Sequence, residues 1–275
     1  MFAYLQHFIP KLCISSVFYI LSRSQIVWLK DFLISNYIKI YKIPLDDAKR
    51  KKVSEYTSFN DFFARELKEG ARSIDQHPSI IISPCDGRII ESGEINMGKL
   101  LQAKGRLYDK ESLLRGSNQG MLDDLSYYLT IYLSPTDYHR VHAPIDGQIH
   151  SIHYIPGAKY SVNPNALARI SGIFTQNERL ILWLKSSIGL LPLVMVGALN
   201  VSSFTTKYTG EIESGTERDI PLNDISNQFQ KGEEIGQFNL GSTVILLLPK
   251  KSFSQKQGSS SKVLMGQAIG QIQGI

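Results

Sequence analysis

Residues 238–249 read "FNLGSTVILLLP". From Ser242 onward the run is β-branched and then apolar without a break until Pro249. A short apolar run of this kind, bounded by turn residues, reads as a buried strand. At its entrance the step Leu240-Gly241-Ser242 sets a hydroxyl beside a flexible glycine. A turn serine is the ordinary reading of such a step. The alternative is a reacting hydroxyl held at the lip of a buried strand, and the rest of the chain decides between them.

Working outward, "YYLTIYLSP", "GQIHSIHYIPG", "LILWLK" and "LPLVMVG" are further short β-type runs, punctuated by Gly, Pro, Asn and Asp. Two segments share the pattern Pro-x-Asp-Gly-x-Ile: "SPCDGRI" with Asp86 and "APIDGQI" with Asp146, 60 residues apart. Asp-Gly favours tight turns leading into strands. "KGEEIGQF" and "MGQAIGQI" form a second matching pair. The expected fold class is α+β: N-terminal amphipathic helices followed by a predominantly antiparallel β-rich domain, of which an internally duplicated sandwich is one form. The division expected is residues 1–52 as a helical segment and 53–275 as the β-rich body, with "FNDFFARELKEG" (59–70) a short helix ended by Gly70.

The chain of 275 residues carries 30 Lys+Arg against 25 Asp+Glu, a formal charge of +5. Residues 1–52 hold nine basic and three acidic side chains, +6, so the remainder sums to −1. Basicity confined to one end argues against a nucleic-acid binder, and no Gly-rich phosphate loop precedes a helix. Cys13 and Cys85 form no C-x-x-C pair, which fits a reducing compartment. No secretory leader is expected. The apolar run between Lys11 and Arg23 is 11 residues, short of the roughly 20 needed to span a bilayer.

Residues 26–43 have helical periodicity and end before Pro44. At about 100° per residue, Ile26, Leu29, Leu33, Tyr37 and Ile40 share one side and Asp31, Ser35, Lys39 and Lys42 the other. Packing on the protein's own core is the first reading for such a helix. The broad apolar faces, the aromatics Trp28, Tyr37 and Tyr41, and the "KRKK" run at 49–52 point instead to an anionic membrane surface.

Four of the six histidines fall between residues 139 and 153. His150 and His153 lie in a strand-like run, where an odd separation sends side chains to opposite faces. With no partner cysteine or H-E-x-x-H helix present, no metal site is expected. His139 and His142 lie in "YLSPTDYHRVHAPIDG", a turn after a strand. Histidine supplies a base near neutral pH, so Asp86, His142 and Ser242 are the ingredients of an acid–base–hydroxyl triad. Composition does not show that they meet.

The segments "FNDFFARELK", "SPCDG", "SPTDYHRVHAPIDG", "PGAKYSVNP", "KGEEIGQFNLGSTV" and "VLMGQAIGQI" together resemble the phosphatidylserine decarboxylase family, in its membrane-associated bacterial branch. Ser202, in "VGALNVSSF", departs from a glycine expected there, and the C-terminal end is short. The resemblance implies a self-processing lyase. Asp86 would orient His142, and His142 would take the proton from Ser242, whose oxygen attacks the carbonyl of Gly241. The chain would split into 1–241 and 242–275, leaving a covalent pyruvoyl cofactor made from Ser242. That ketone would form a Schiff base with the amine of phosphatidylserine, and His139 would return a proton after carbon dioxide leaves. The implied partners are an anionic phospholipid membrane and the two cleaved chains together, at the cytoplasmic face of the bacterial cell membrane, with a homodimer left open. Two rivals remain. One is a membrane-associated serine hydrolase on the same Asp86, His142 and Ser242, which lacks G-x-S-x-G. The other is a non-catalytic β-sandwich module on a membrane anchor.

Overall fold

The buried strand expected after Gly241 lies at the middle of the largest sheet in a computed structural model of the chain. The structure describes residues 19–118, 120, 122–198, 203–222, 226–239, 242–249 and 253–272, with Ser242 described by its backbone only. Helix α1 (Val27–Tyr41) is followed by a 3₁₀ turn (Val53–Glu55), α2 (Phe59–Phe63) and strands β1 (Ile80–Ile82), β2 (Gly87–Glu94), β3 (Lys99–Ala103) and β4 (Arg106–Asp109). Then come α3 (Lys110–Leu114), β5 (Leu125–Leu133), β6 (Arg140–His142), β7 (Gly147–Ile155), α4 (Pro164–Leu167) and α5 (Ile173–Gln176). Strands β8 (Arg179–Ser186), β9 (Gly189–Gly197), β10 (Ser203–Thr206), β11 (Gly210–Glu213), β12 (Arg218–Ile220), β13 (Gln228–Phe229) and β14 (Glu234–Phe238) follow. The last four are β15 (Ser242–Pro249), β16 (Phe253–Gln255), β17 (Lys262–Val263) and β18 (Ala268–Ile272).

The main sheet runs β12-β7-β8-β9-β15-β5-β2-β17, with β13 also on β7. Smaller sheets are β11-β10-β14-β6, β1-β18-β16 and the hairpin β3-β4. The named strands pair antiparallel throughout, so the α+β, antiparallel expectation holds. Strand β15 sits between β5 and β9, and its alternate residues enter two different cores. Val244, Leu246 and Leu248 join Val141, Phe204, Ile235 and Phe238 beneath the smaller sheets. Ile245 and Leu247 join Leu113, Leu167, Phe174 and Trp183 on the opposite face. Burial on both faces is why the sequence there is apolar without alternation.

The internal repeat is also present. The Asp86 carboxylate accepts from the Met265 N–H (2.8 Å) and that of Asp146 from the Lys231 N–H (2.7 Å). Gly266 N–H donates to Ser83 O as Gly232 N–H does to Ala143 O. Gly87 and Gly147 each pass so close to a neighbouring strand that a Cβ would lie 2.5 Å from Tyr132 O and 2.4 Å from Lys185 O respectively. Each Asp-Gly turn is thus clamped by one of the paired "K/M-G-x-x-I-G-Q" segments, and β6 on β14 repeats β1 on β18.

The N-terminal helix keeps its expected extent. Lys42 closes it in the left-handed conformation (φ 52) and returns its N–H to Ile38 O. Its buried side differs from the one read in the sequence. Lys30 and Ile34 are buried, and Tyr37 and Ile38 pack with Tyr56 and Phe62, whereas Ile26 and Ile40 are exposed. The apolar residues occupy almost every side of this helix, so periodicity alone could not choose the packed one. An exposed apolar strip remains, with Trp28 71% and Phe32 62% accessible. In the "KRKK" run, Lys49 pairs with Glu66 and Arg50 forks onto Asp61. Helix α2 is shorter than expected. Ser58 caps it by accepting from Asp61 N–H, and it stops at Phe63 because the chain then bridges Leu67 to Ala48. No helix among the described residues is long and apolar enough to cross a membrane.

The run holding His150 and His153 departs from simple strand alternation. A bulge between Ile149 and Ser151 shifts the register, so Ile149 and Ile152, three apart, face the same core, and strict alternation does not run from His150 to His153. His153 is taken up by Asp219 and Glu217.

Replacing Ile34 by Ala is expected to cost about 2–5 kcal/mol, while Phe32→Ser stays within about 0.5 kcal/mol. Urea denaturation of both variants reads the difference, and equal losses would mean that the strip around Phe32 is packed.

Candidate active site

Strand pairing gathers the chemistry-bearing segments. Ser242 stands opposite Leu133 of β5 and Gly197 of β9. The loop 134–139 leaves β5 at that end, and β6, carrying His142, pairs with β14, which feeds directly into residues 239–241. Phe238 N–H also donates to His139 O (3.0 Å). Gly241 and the side chain of Ser242 lie outside the described residues.

The chain is fixed on both sides of the Gly-Ser step. Asn239 is buried, donates through Nδ2 to Ser203 Oγ (2.7 Å) and Thr205 Oγ1 (2.9 Å), and accepts from Asn60 Nδ2. Opposite Ser242, Gly197 O accepts from Asn177 Nδ2 (2.8 Å), and Gly197 N–H donates to Glu178 O (2.8 Å).

The loop is pinned from outside by the two helices. Tyr37 Oη donates to Pro135 O (3.0 Å), Arg65 Nη2 donates to Thr136 O (3.1 Å), and Phe63 lies against the His139 ring at 4.0 Å between centroids. His139 is fully buried. Its Nδ1 lies 2.8 Å from Asp137 O, and its Nε2 has no hydrogen-bond partner. Because a carbonyl only accepts, Nδ1 carries the proton and Nε2 presents a lone pair. Burial first, then the nearby Arg65 charge, lowers the pKa of His139 to about 3, so the ring is a neutral base near pH 7.

His142 is bonded differently. Its Nδ1 donates to Gly232 O (2.8 Å) and its Nε2 accepts from Tyr138 Oη (2.9 Å). Burial lowers its pKa, and the Gly232 carbonyl, Glu234 and Asp86 partly offset that. Asp86 does not bond to the ring. Arg72 forks onto it (2.6 and 3.1 Å), and Met265 N–H supplies the third contact. Asp86 favours a charged His142 ring only at a distance, while the turn before it meets His142 through Pro84 O, which accepts from His142 N–H (2.7 Å). Sequence reading missed Arg72, Arg65 and Tyr138. Tyr138 and Arg65 stood inside the segments "SPTDYHRVHAPIDG" and "FNDFFARELK" with nothing in their spacing to assign them a role, and Arg72 lay outside every such segment. No cluster of three metal-ligating side chains is found among the described residues.

With strands, clamped turns and a buried two-histidine loop in place, comparison with known proteins assigns the class. The family described as phosphatidylserine decarboxylase matches residues 59–271, and one described as PSD matches residues 1–42. The chain belongs to the phosphatidylserine decarboxylase family and is an enzyme of that class. It is 42% identical over 271 residues to the phosphatidylserine decarboxylase proenzyme of Psychrobacter arcticus, covering 98% of this chain and 97% of that one. It is 41% identical over 265 residues to that of Francisella philomiragia, covering 94% and 93%.

The buried histidines set a pH dependence. Between its folded value of about 3 and its ordinary 6.5, His139 is neutral when folded and protonated when unfolded. The unfolded chain then binds more protons, so stability falls as pH drops through that window, by up to about 1.4 kcal/mol per pH unit. His139→Gln should show a shallower acid loss in urea titrations from pH 6.5 downward. An unchanged slope would show that His139 is charged in the folded protein.

Proposed function

We propose that this chain decarboxylates phosphatidylserine to phosphatidylethanolamine at a membrane surface, after cutting itself between Gly241 and Ser242. The observation that carries this reading is the fixing of the chain on both sides of that step. Asn239 is bonded within a buried polar cluster and Thr243 is fully buried at the start of β15, so the described residues flanking the step are both anchored. Glycine at 241 leaves its carbonyl sterically open. Attack by the next residue's hydroxyl closes a five-membered ring.

In this reading His142 takes the proton from Ser242 Oγ, which requires the Tyr138 hydroxyl to give up Nε2 or relay the proton. Asp86, held by Arg72, steadies the resulting positive ring through its field. The oxygen attacks the Gly241 carbonyl and the amide becomes an ester. β-Elimination frees residues 1–241 as a carboxylate and leaves dehydroalanine at 242. Water then releases ammonia and leaves a terminal pyruvoyl group on 242–275. The site suits such a group: β15 would hold its backbone rigid, and the unpartnered His139 Nε2 supplies a base in the same neighbourhood. When present, the pyruvoyl group supplies a ketone that captures the substrate amine and a sink for the electron pair left by departing carbon dioxide. His139 Nε2 takes the proton that the substrate ammonium must lose and returns it to the substrate carbon.

Helix α1 supports the surface location. Its outward strip exposes Trp28 and Phe32, and its Tyr37 holds the carbonyl of Pro135 in the histidine loop. A lipid surface against that strip would lie beside the loop itself.

The deciding measurement is the intact mass of purified protein beside its variants. The wild type should give two chains split at Gly241–Ser242, and Ser242→Ala one uncut, inactive chain. His139→Ala should be cut yet lose about 10²–10⁴ in carbon dioxide release. Normal fragments from Ser242→Ala would sink the assignment, and an uncut His139→Ala would make the two histidine roles shared. On vesicles rich in anionic lipid, a Trp28→Ser, Phe32→Ser double variant should bind weakly while still maturing. Undiminished binding would remove α1 from the membrane face.

A further inference from the structure

Among the described residues, Arg65 stands apart from Arg72 and Arg179. Arg72 is neutralised by Asp86 and Asp47, and Arg179 spends its guanidinium on four backbone carbonyls. Arg65 is only 5% exposed, uses Nη2 on Thr136 O, and has a buried Nη1 with no hydrogen-bond partner. Among the described residues no carboxylate makes an ion pair with it, and Asp86 and Asp137 act on it only at a distance. A buried charge with an unspent donor is costly unless something arrives to pair with it.

The second unspent atom in this region is His139 Nε2. Arg65 and His139 grip the same loop, one through Thr136 O and the other through Asp137 O, with Phe63 against the imidazole. One atom is a cationic donor and the other a lone pair, so together they call for a ligand with an anion and a proton-bearing group. A serine phospholipid headgroup has both in one short unit.

We propose that Arg65 Nη1 binds the phosphodiester of the substrate headgroup while His139 Nε2 meets its amino group. This rests on the decarboxylase reading above. The headgroup carries two anions, and the chemistry selects between them. The carboxylate gives up its charge as carbon dioxide forms, so a guanidinium gripping it would stabilise the ground state over the transition state. The phosphodiester keeps its charge throughout and is the group a fixed cation can hold without opposing the reaction.

The test uses matured full-length enzyme with short-chain, monomeric phosphatidylserine, so that membrane docking does not enter. Arg65→Gln and Arg65→Lys are compared with wild type for fragment formation, for KM and kcat, and for inhibition by short-chain phosphatidylethanolamine, which keeps the phosphodiester and lacks the carboxylate. Both variants should mature. In Arg65→Gln, KM and the phosphatidylethanolamine inhibition constant should rise together by about 10- to 100-fold, with kcat much less affected. Arg65→Lys should recover part of the loss by keeping the charge without the fork. Unchanged constants overturn the proposal. A raised KM with unchanged phosphatidylethanolamine inhibition also overturns it, assigning Arg65 to the carboxylate. If both variants stay uncut while wild type splits, Arg65 belongs to maturation and the proposal fails. Wild-type splitting and turnover in the same experiment report on the decarboxylase reading separately.

Discussion

Strand β15 is buried on both faces and bonded on both edges, and most of the molecule is arranged around that constraint. Its partners β5 and β9 carry it from Ser242 inward, and its side chains fill two cores in alternation. Each buried aliphatic side chain of this size stabilises the fold by roughly 1.5–3 kcal/mol. Such a strand is anchored by burial from Thr243 inward. That property suits a chain proposed to cut itself at Ser242, because 242–275 would stay seated after losing its covalent link to 1–241. The same segment carries β18 and the Met265 N–H that clamps Asp86, so the small piece would remain tied to the large one through two sheets.

The repeat explains how one scaffold can bear an asymmetric site. In the two matched units, β1 corresponds to β6, and the pairing of Ile82 with Ala268 corresponds to that of His142 with Glu234. One copy places an isoleucine in a purely structural strand where the other places a histidine. The turn aspartates differ in the same way: both accept a clamping N–H, but only Asp86 also holds an arginine. Structural duties met by backbone hydrogen bonds in both copies leave the side chains of one copy open to chemistry.

What was legible in the sequence was what is local. The buried strand, the Asp-Gly turns, the paired Gly-rich segments and the extent of α1 each depend on residues within a few positions of one another. What was not legible depends on partners brought from elsewhere. The packed side of α1 was set by Tyr56 and Phe62 rather than by its own periodicity, and the shared face of Ile149 and Ile152 by one bulge. The resemblance implied that Asp86 orients His142, but the ring is bonded to Gly232 O and Tyr138 Oη while Asp86 is bonded to Arg72. No spacing rule connects residues 72, 86 and 265.

His139 in the loop and His142 on β6 differ in a way that would keep their proposed tasks from competing. Both are buried and both have their proton affinity lowered, so both are neutral bases at rest. They differ in what surrounds the lone pair. His142 keeps Nε2 covered by a phenol whose own pKa is raised by burial, and it feels Asp86 and Glu234, which favour a positive ring. His139 keeps Nε2 bare and feels Arg65, which opposes one. A ring supported by carboxylates suits a reaction that runs once and must hold a proton while a peptide bond rearranges. A ring pressed by an arginine gives its proton back readily. If the proposed headgroup anion neutralised that arginine, the His139 ring would take up a proton and return it, as a repeated proton transfer at carbon would demand.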